Sequence, residues 1–230
     1  MPRHLIIVPT DLERRELAPL LGGDGATVAL CGFGIVAAAA RTAQLVARER
    51  PERVILAGIA GRYDDDPAGD DEPGAAPVAG PAVGAAACFD AVACHGIGVG
   101  TGDRFTAAAA LGWPQWPGDP PDPTAAIGDR IACRLPRSAD VPRAGVLLTV
   151  AASSADADDA RLRRMLFPAA VAEDMEGFAV ALACRLAGVP CTIVRGISNV
   201  AGDRDKTRWQ TTAALAAAAG LVRRLLAEDR

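Results

Sequence analysis

The chain has 230 residues, a formal net charge of −4 at pH 7 and a pI near 5.2. This length suits one large α/β domain or two small ones, and no linker separates two cores, so we expect a single domain over residues 1–230. An acidic chain without a basic stripe argues against nucleic acid as a partner. No apolar run reaches the roughly 20 residues of a membrane span, and Leu5–Val8 is too short for a signal peptide, which predicts a cytoplasmic protein with no membrane partner.

Metal and disulfide chemistry are poorly supported by the residue types. The 6 cysteines form no C-x-x-C pair, and most lie in apolar runs, which favours buried free thiols. The two histidines, His4 and His95, are isolated in the sequence. We therefore predict neither a metal site nor a cofactor.

The chain opens with three strand predictions. They are Leu5–Pro9, Ala26–Cys31 and Arg53–Ala57; Thr10 and Gly34 precede the helices that follow the first two. The third strand is predicted to end in a turn of small residues, Gly58-Ile59-Ala60-Gly61, where a ligand can approach the backbone closely.

The middle of the chain is less regular. Asp64–Gly80 is acidic and reads as an inserted surface loop, Val83–Val99 as paired strands, and Trp113–Pro123, with its five prolines, as a loop. Further on, we predict a strand over Gly145–Val150 and a helix over Asp156–Met165. The alternation of strands and helices predicts a three-layer α/β/α domain with a mostly parallel sheet.

The most informative stretch runs from Glu173 to Trp209. It contains D-M-E-G, an apolar helix over Phe178–Ala187, a buried strand over Cys191–Ile197 that ends in R-G-I-S-N, and a final helix from about Lys206. We read this as a β-α-β unit with two parallel strands, which would bring Glu176 and Asn199 to the same edge of the sheet.

These motifs resemble the nucleoside phosphorylase and nucleosidase superfamily, whose second motif is R-x-I-S-D or R-x-I-S-N. The longer ending S-N-V-A-G-D-R-D-x-x-x-W is similar to that of the futalosine hydrolases, nucleosidases of menaquinone biosynthesis. The resemblance implies a nucleoside phosphorylase-like α/β fold with a mixed central sheet, a small nucleoside as the partner, a homo-oligomer, and hydrolysis of futalosine to hypoxanthine and dehypoxanthinyl futalosine.

Cleavage of an N-ribosidic bond requires a carboxylate on the ribose, because its hydrogen bonds to the hydroxyls strengthen as the ring becomes cationic. Glu176 fits this role, and by resemblance Met175 packs on the ribose beside it. The alternative is that Glu176 is only a carboxylate favoured at a helix start. Phe178, one turn into the same helix, would face either the nucleoside or the core, and we include it among the substrate contacts.

Cleavage by water also requires a base, and the related nucleosidases carry a Glu just after the first strand. Glu13 matches that position. Thr10-x-x-Glu13 is also a capping-box pattern, in which the carboxylate satisfies the backbone N–H of Thr10. The sequence leaves open whether Glu13 is a base, a cap or both.

Asn199 bears on which purine the enzyme releases. An Asn can donate to both N7 and O6 of a 6-oxopurine, whereas the Asp found in adenine-specific relatives can donate to N7 and accept from a 6-amino group. This favours hypoxanthine as the leaving group. The alternative is a turn residue whose amide caps the strand end.

Several alternatives stay open at this level. They are a purine nucleoside phosphorylase, a methylthioadenosine/S-adenosylhomocysteine-type nucleosidase and a non-catalytic binding module. Phosphorolysis would need an anion site, for which only the weak loop Gly100–Arg104 is available. Arg195, inside an apolar strand, is expected to form a structural ion pair. Arg62 and Arg104 are candidate partners for the carboxylate of the substrate.

Overall fold

The computed structural model describes residues 3–21, 27–64, 80–119 and 126–229. It has five α-helices, namely α1 (Asp11–Leu21), α2 (Ile35–Glu49), α3 (Ala157–Leu166), α4 (Gly177–Leu186) and α5 (Thr211–Glu228). The strands are β1 (His4–Val8), β2 (Thr27–Leu30), β3 (Arg53–Arg62), β4 (Ala86–His95), β5 (Gly98–Val99), β6 (Thr106–Ala107), β7 (Arg130–Ala132), β8 (Arg143–Val150), β9 (Ala170–Asp174) and β10 (Cys191–Val200).

The large sheet is mixed but mostly parallel. Its strand order is β10-β4-β8-β9-β3-β1-β2, β7 pairs with β4, and β10 also pairs with β3. The second pairing of β10 closes five strands into a ring. Antiparallel contacts occur only where β10 meets β4, β9 meets β3 and β7 meets β4, among the strands of this sheet that the structure describes. The predicted α/β class and mixed sheet are confirmed.

Helices cover both faces of the sheet because the side chains of its strands alternate. In β1, Leu5 and Ile7 pack in one core cluster with residues of α2 and α4, whereas Ile6 and Val8 pack in another with residues of α1 and α5. Both clusters consist mainly of aliphatic side chains and alanine, with cysteine in both and two phenylalanines in the first. This arrangement is the three-layer order that the sequence predicted.

Most of the segments predicted as helix or strand form that type of element in the structure. The predicted acidic loop lies almost wholly outside the described residues, and so does the end of the loop at Trp113–Pro123. The last helix begins later than expected, at Thr211, after a short 3₁₀ turn over Lys206–Arg208. Five of the cysteines are buried and all six are free thiols, as predicted.

Two predictions about strands were wrong. Gly58–Gly61 is not a turn, because β3 continues through it and pairs with β10 as far as Arg62, with one register shift between Ile197 and Asn199. The second error concerns β9 and β10, which were expected to be parallel. β9 is antiparallel to the end of β3, where Gly61 faces Glu173, whereas β10 is parallel to β3.

The reversed direction of β9 decides where the motif D-M-E-G lies. Past Glu173 the chain runs back along β3 toward Gly58, which is paired in register with Arg195 of β10. Asp174 and Glu176 therefore lie against Arg195.

Within the described residues, no helix has the length and apolarity needed to cross a bilayer.

Candidate active site

Residues of α1, β3, β9 and β10, together with residues of neighbouring loops, line a cavity of about 220 Å3. Its walls include most of the residues predicted from the sequence, namely Glu13, Ile59, Ala60, Gly61, Met175, Glu176 and Asn199. The cavity lies where the carboxyl end of β3 meets the ends of β9 and β10 and the start of α1. It is the place to which the sequence assigned the chemistry.

Glu13 reaches this cavity from the first turn of α1 and is 3% exposed. Its Oε2 accepts from Thr10 N at 3.0 Å and from Thr10 Oγ1 at 2.6 Å, so the capping box is present. Its Oε1 accepts from Ile59 N at 3.0 Å, a bond to another element. Because each carboxylate oxygen can accept two hydrogen bonds, Oε1 keeps one acceptor position for a further ligand.

Glu176 is the residue before the first turn of α4, yet its side chain does not cap that helix. Its Oε1 accepts from Gly34 N at 3.0 Å, and its Oε2 accepts from Arg195 Nη2 at 3.2 Å. Burial raises the pKa of Glu176 to about 7; Arg195 opposes this shift, and Asp174 adds to it. Glu176 therefore stands at the start of α4, as the alternative interpretation has it, but its carboxylate binds Gly34 and Arg195 instead of the helix N–H groups.

Arg195 is fully buried and forms the structural ion pair expected from its place in an apolar strand. Its main partner is Asp174, whose Oδ2 accepts from Nε at 3.1 Å and from Nη2 at 2.5 Å. Asp174 also accepts from Thr149 Oγ1 and from Gly177 N, and Thr149 in turn accepts from Phe178 N. This chain of bonds fixes the start of α4, and with it Glu176, against β8 and β10.

Asn199 lines the cavity, but both ends of its amide have intramolecular partners. Its Oδ1 accepts from Ser198 Oγ at 2.7 Å, and its Nδ2 donates to Val200 O at 2.8 Å and to Asp203 O at 3.4 Å. The last bond is at the long limit for a hydrogen bond. In this conformation Asn199 therefore caps the strand end, which was the alternative interpretation of its role.

Two predicted substrate contacts do not lie on the cavity wall. Phe178 is 1% exposed, and its side chain packs in the core on the buried side of α4. Gly58 lies behind the wall. A Cβ at this position would collide with Arg195 Nη1 and Glu13 Oε1, so the glycine makes room for these two side chains.

The sequence analysis missed part of the site. Glu173 lines the cavity and is held by Ser154 N, Ser154 Oγ, Tyr63 and Arg163 at 2.7–3.0 Å. Arg204 and Trp209 also line it. Asp174 could have been predicted from the sequence. A buried Arg195 requires an acidic partner, and the Asp of the motif D-M-E-G is a suitable one.

A second cavity of about 450 Å3 lies on another part of the molecule, beside Trp116 and the end of α4. Its only ionisable lining residues among those described are Asp119 and Arg185. It is larger, but it lacks a pair of buried carboxylates for acid–base chemistry. We therefore assign the site to the smaller cavity.

Comparison with known proteins agrees with this geometry. Residues 13–227 match the family model of the phosphorylase superfamily. Two relatives are the futalosine hydrolases of Streptomyces coelicolor, 34% identical over 88% of this chain and 79% of the relative, and of Thermus thermophilus, 32% identical over 98% and 96%.

Among solved structures, the 5'-methylthioadenosine/S-adenosylhomocysteine nucleosidase of Neisseria meningitidis superimposes with a TM-score of 0.73. It is 19% identical, and the match covers 100% of both chains. At this identity the likeness concerns the fold. The matched model and the two relatives together lead to the conclusion that the chain belongs to the phosphorylase superfamily, in the family of the futalosine hydrolases.

Proposed function

We propose that this chain is an N-glycosyl hydrolase that cleaves futalosine into hypoxanthine and dehypoxanthinyl futalosine, a step of menaquinone biosynthesis. The observation that carries the proposal is that Glu13, Glu176 and Asn199 line one cavity from three different elements. The relatives named futalosine hydrolase support the choice of substrate.

Glu176 is the group that stabilises the ribose. Its two oxygens each accept one hydrogen bond from the protein, from Gly34 N and Arg195 Nη2, which leaves acceptor positions for the ribose hydroxyls. Those bonds strengthen as the sugar ring becomes cationic in the transition state. Met175, on the same wall, packs against the sugar.

Glu13 is the general base. Its cap to Thr10 uses Oε2 and leaves one acceptor position on Oε1, so capping and catalysis do not compete. Arg195 Nη1 is buried without a hydrogen-bond partner among the described residues and contacts the same space beside Gly58. On the cavity side, a water that donates to the free acceptor position on Glu13 Oε1 would be activated as the nucleophile.

Asn199 holds the leaving base. We propose that on binding its Nδ2 gives up the 3.4 Å bond to Asp203 O and donates to the 6-oxopurine. Adenine would present a 6-amino donor to the same amide N–H and leave donors unpaired. This favours hypoxanthine over adenine as the product.

Phosphorolysis is the less favourable reaction here. Four carboxylates line the cavity, those of Glu13, Glu173, Asp174 and Glu176; Arg163 and Arg195 neutralise them only in part, and the remaining negative charge would repel a phosphate ion. The Gly100–Arg104 loop, the one candidate anion loop in the sequence, does not line it. A nucleosidase for methylthioadenosine stays the alternative, since the fold is shared with such enzymes.

The test is release of free base from futalosine, inosine and methylthioadenosine, each with and without phosphate. We expect hypoxanthine from futalosine at a rate independent of phosphate. Adenine release from methylthioadenosine at an equal or greater rate would favour the alternative nucleosidase. A requirement for phosphate would make the protein a phosphorylase.

Three further expectations stay predictions. They are a single domain, a homo-oligomer and a cytoplasmic location. None of them is needed for the chemistry assigned to the cavity.

A further inference from the structure

Arg204 and Trp209 form the outer wall of the cavity. The guanidinium carbon of Arg204 lies 5.4 Å from the centre of the Trp209 ring, a cation–π distance. Trp209 is fixed in turn by its Nε1, which donates to Asp203 O at 3.0 Å. Arg204 is exposed and Trp209 is partly buried, so the pair marks the solvent side of the cavity. We call it the Arg204–Trp209 pair.

The charge of the cavity changes sign from the inside to this rim. Four carboxylates, at residues 13, 173, 174 and 176, are each no more than 6% exposed. Arg204 is the one basic side chain among the described residues that line the cavity, and no ion pair engages it. Arg195 is close by, but Asp174 and Glu176 neutralise it. A cation without an acidic partner at the rim is therefore available to a ligand.

This asymmetry restricts how an anionic nucleoside can bind. The inference rests on the proposed function, in which the substrate carries an aromatic carboxylate on the 5' side of its ribose. A carboxylate at the inner end would lie among four acids, which Arg163 and Arg195 neutralise only in part, and would be repelled by the remaining negative charge. At the outer end it would meet a planar guanidinium, whose N–H fork matches a carboxylate.

We propose that Arg204 binds the carboxylate of the aromatic acid on the 5' side of the nucleoside, and that Trp209 positions the guanidinium for this contact. Arg204 thereby selects nucleosides with an anionic 5' extension over plain nucleosides. The assignment replaces the two arginines suggested by the sequence. Arg62 donates to Tyr63 O and approaches Asp64, and neither it nor Arg104 lines the cavity.

The test compares futalosine with its neutral carboxylate methyl ester. For Arg204→Ala we expect the preference for futalosine over the ester, as a ratio of kcat/KM, to fall about tenfold through KM, because a charge-assisted hydrogen bond is lost at a partly exposed site. Arg204→Lys should retain part of the preference, since it keeps the charge without the fork. Trp209→Phe should have a smaller effect than Arg204→Ala.

Arg208→Ala is the matched control. Arg208 is an exposed arginine in the same loop, paired with Asp203 and Asp205, and it does not line the cavity. Its loss should leave the ratio unchanged. An equal fall in both variants, or an unchanged ratio in Arg204→Ala, overturns the inference while leaving hydrolysis of futalosine intact. Failure of the wild-type protein to cleave futalosine overturns the proposed function and this inference together.

Discussion

Glu13 and Arg195 meet at Gly58, although one belongs to the first helix and the other to the last strand. A Cβ at residue 58 would collide with both Glu13 Oε1 and Arg195 Nη1. The general base and the buried guanidinium therefore share a space that exists only because β3 has a glycine there.

Gly58→Ala should displace Glu13 and Arg195. We expect kcat to fall at least tenfold and the free energy of unfolding to fall by about 1–3 kcal/mol, as for other overpacked sites. Enzyme assays and denaturant unfolding measure the two effects. Gly220→Ala in α5 is the control, since a Cβ there has no neighbour within 4 Å and should not reduce activity. Full activity in Gly58→Ala would show that the two side chains need not be placed as described.

Glu176→Gln should lose far more rate than stability. A charged acceptor on the ribose acts mainly in the transition state, so we expect a loss of about 2–4 kcal/mol in transition-state stabilisation. Arg195 keeps Asp174 as its partner in this variant, which limits the effect on folding. Steady-state kinetics and thermal unfolding are the measurements. Unchanged turnover would mean that the carboxylate has a structural role only.

The raised pKa of Glu176, about 7, predicts opposite effects of pH on activity and stability. Because the ribose needs the ionised carboxylate, kcat/KM should fall as pH decreases through about 7. The folded-state pKa lies above the unfolded value, so this group's contribution to stability is complete below its unfolded pKa and is lost as pH rises through 7. The decrease of kcat/KM at acid pH should be absent in Glu176→Gln. A profile flat between pH 6 and 8 would contradict the assignment.

Glu13→Gln should stop turnover and leave substrate binding nearly intact. A Gln can still accept from Thr10 N, so the capping box survives while the base is lost. Thr10→Ala is the complementary variant, and it should lower the free energy of unfolding by about 0.5–2 kcal/mol because the cap is removed. Kinetics and substrate affinity separate the two roles. A loss of activity that merely follows the loss of stability would support the cap alone.

Asn199→Asp should narrow the preference for a 6-oxopurine over a 6-aminopurine. Leaving amide donors unpaired against an adenine costs the wild-type protein about 1–3 kcal/mol, and an Asp oxygen can accept from the 6-amino group instead. Release rates for futalosine and its 6-amino counterpart on both proteins measure the change. Equal rates for the two compounds on the wild type would remove Asn199 from base selection.

Much of the fold could be predicted because its signals are local. The apolar runs, the Thr10–Glu13 capping box, and the helices at Asp156 and Phe178 each depend on residues a few positions apart. The family motifs then indicated where the carboxylates and the amide would lie. The direction of a strand within the sheet was harder to predict, since β9 was expected to be parallel to β10 and is not.

The sequence alone determined the five α-helices, most of the long strands and the identity of Glu13, Glu176 and Asn199 as cavity residues. Only the tertiary structure decided which groups touch. The second pairing of β10, and the return of β9 along β3, bring Asp174 to Arg195 and leave Arg204 at the rim. These contacts join residues far apart in the chain and depend on strand order and register, which no local pattern of side chains encodes.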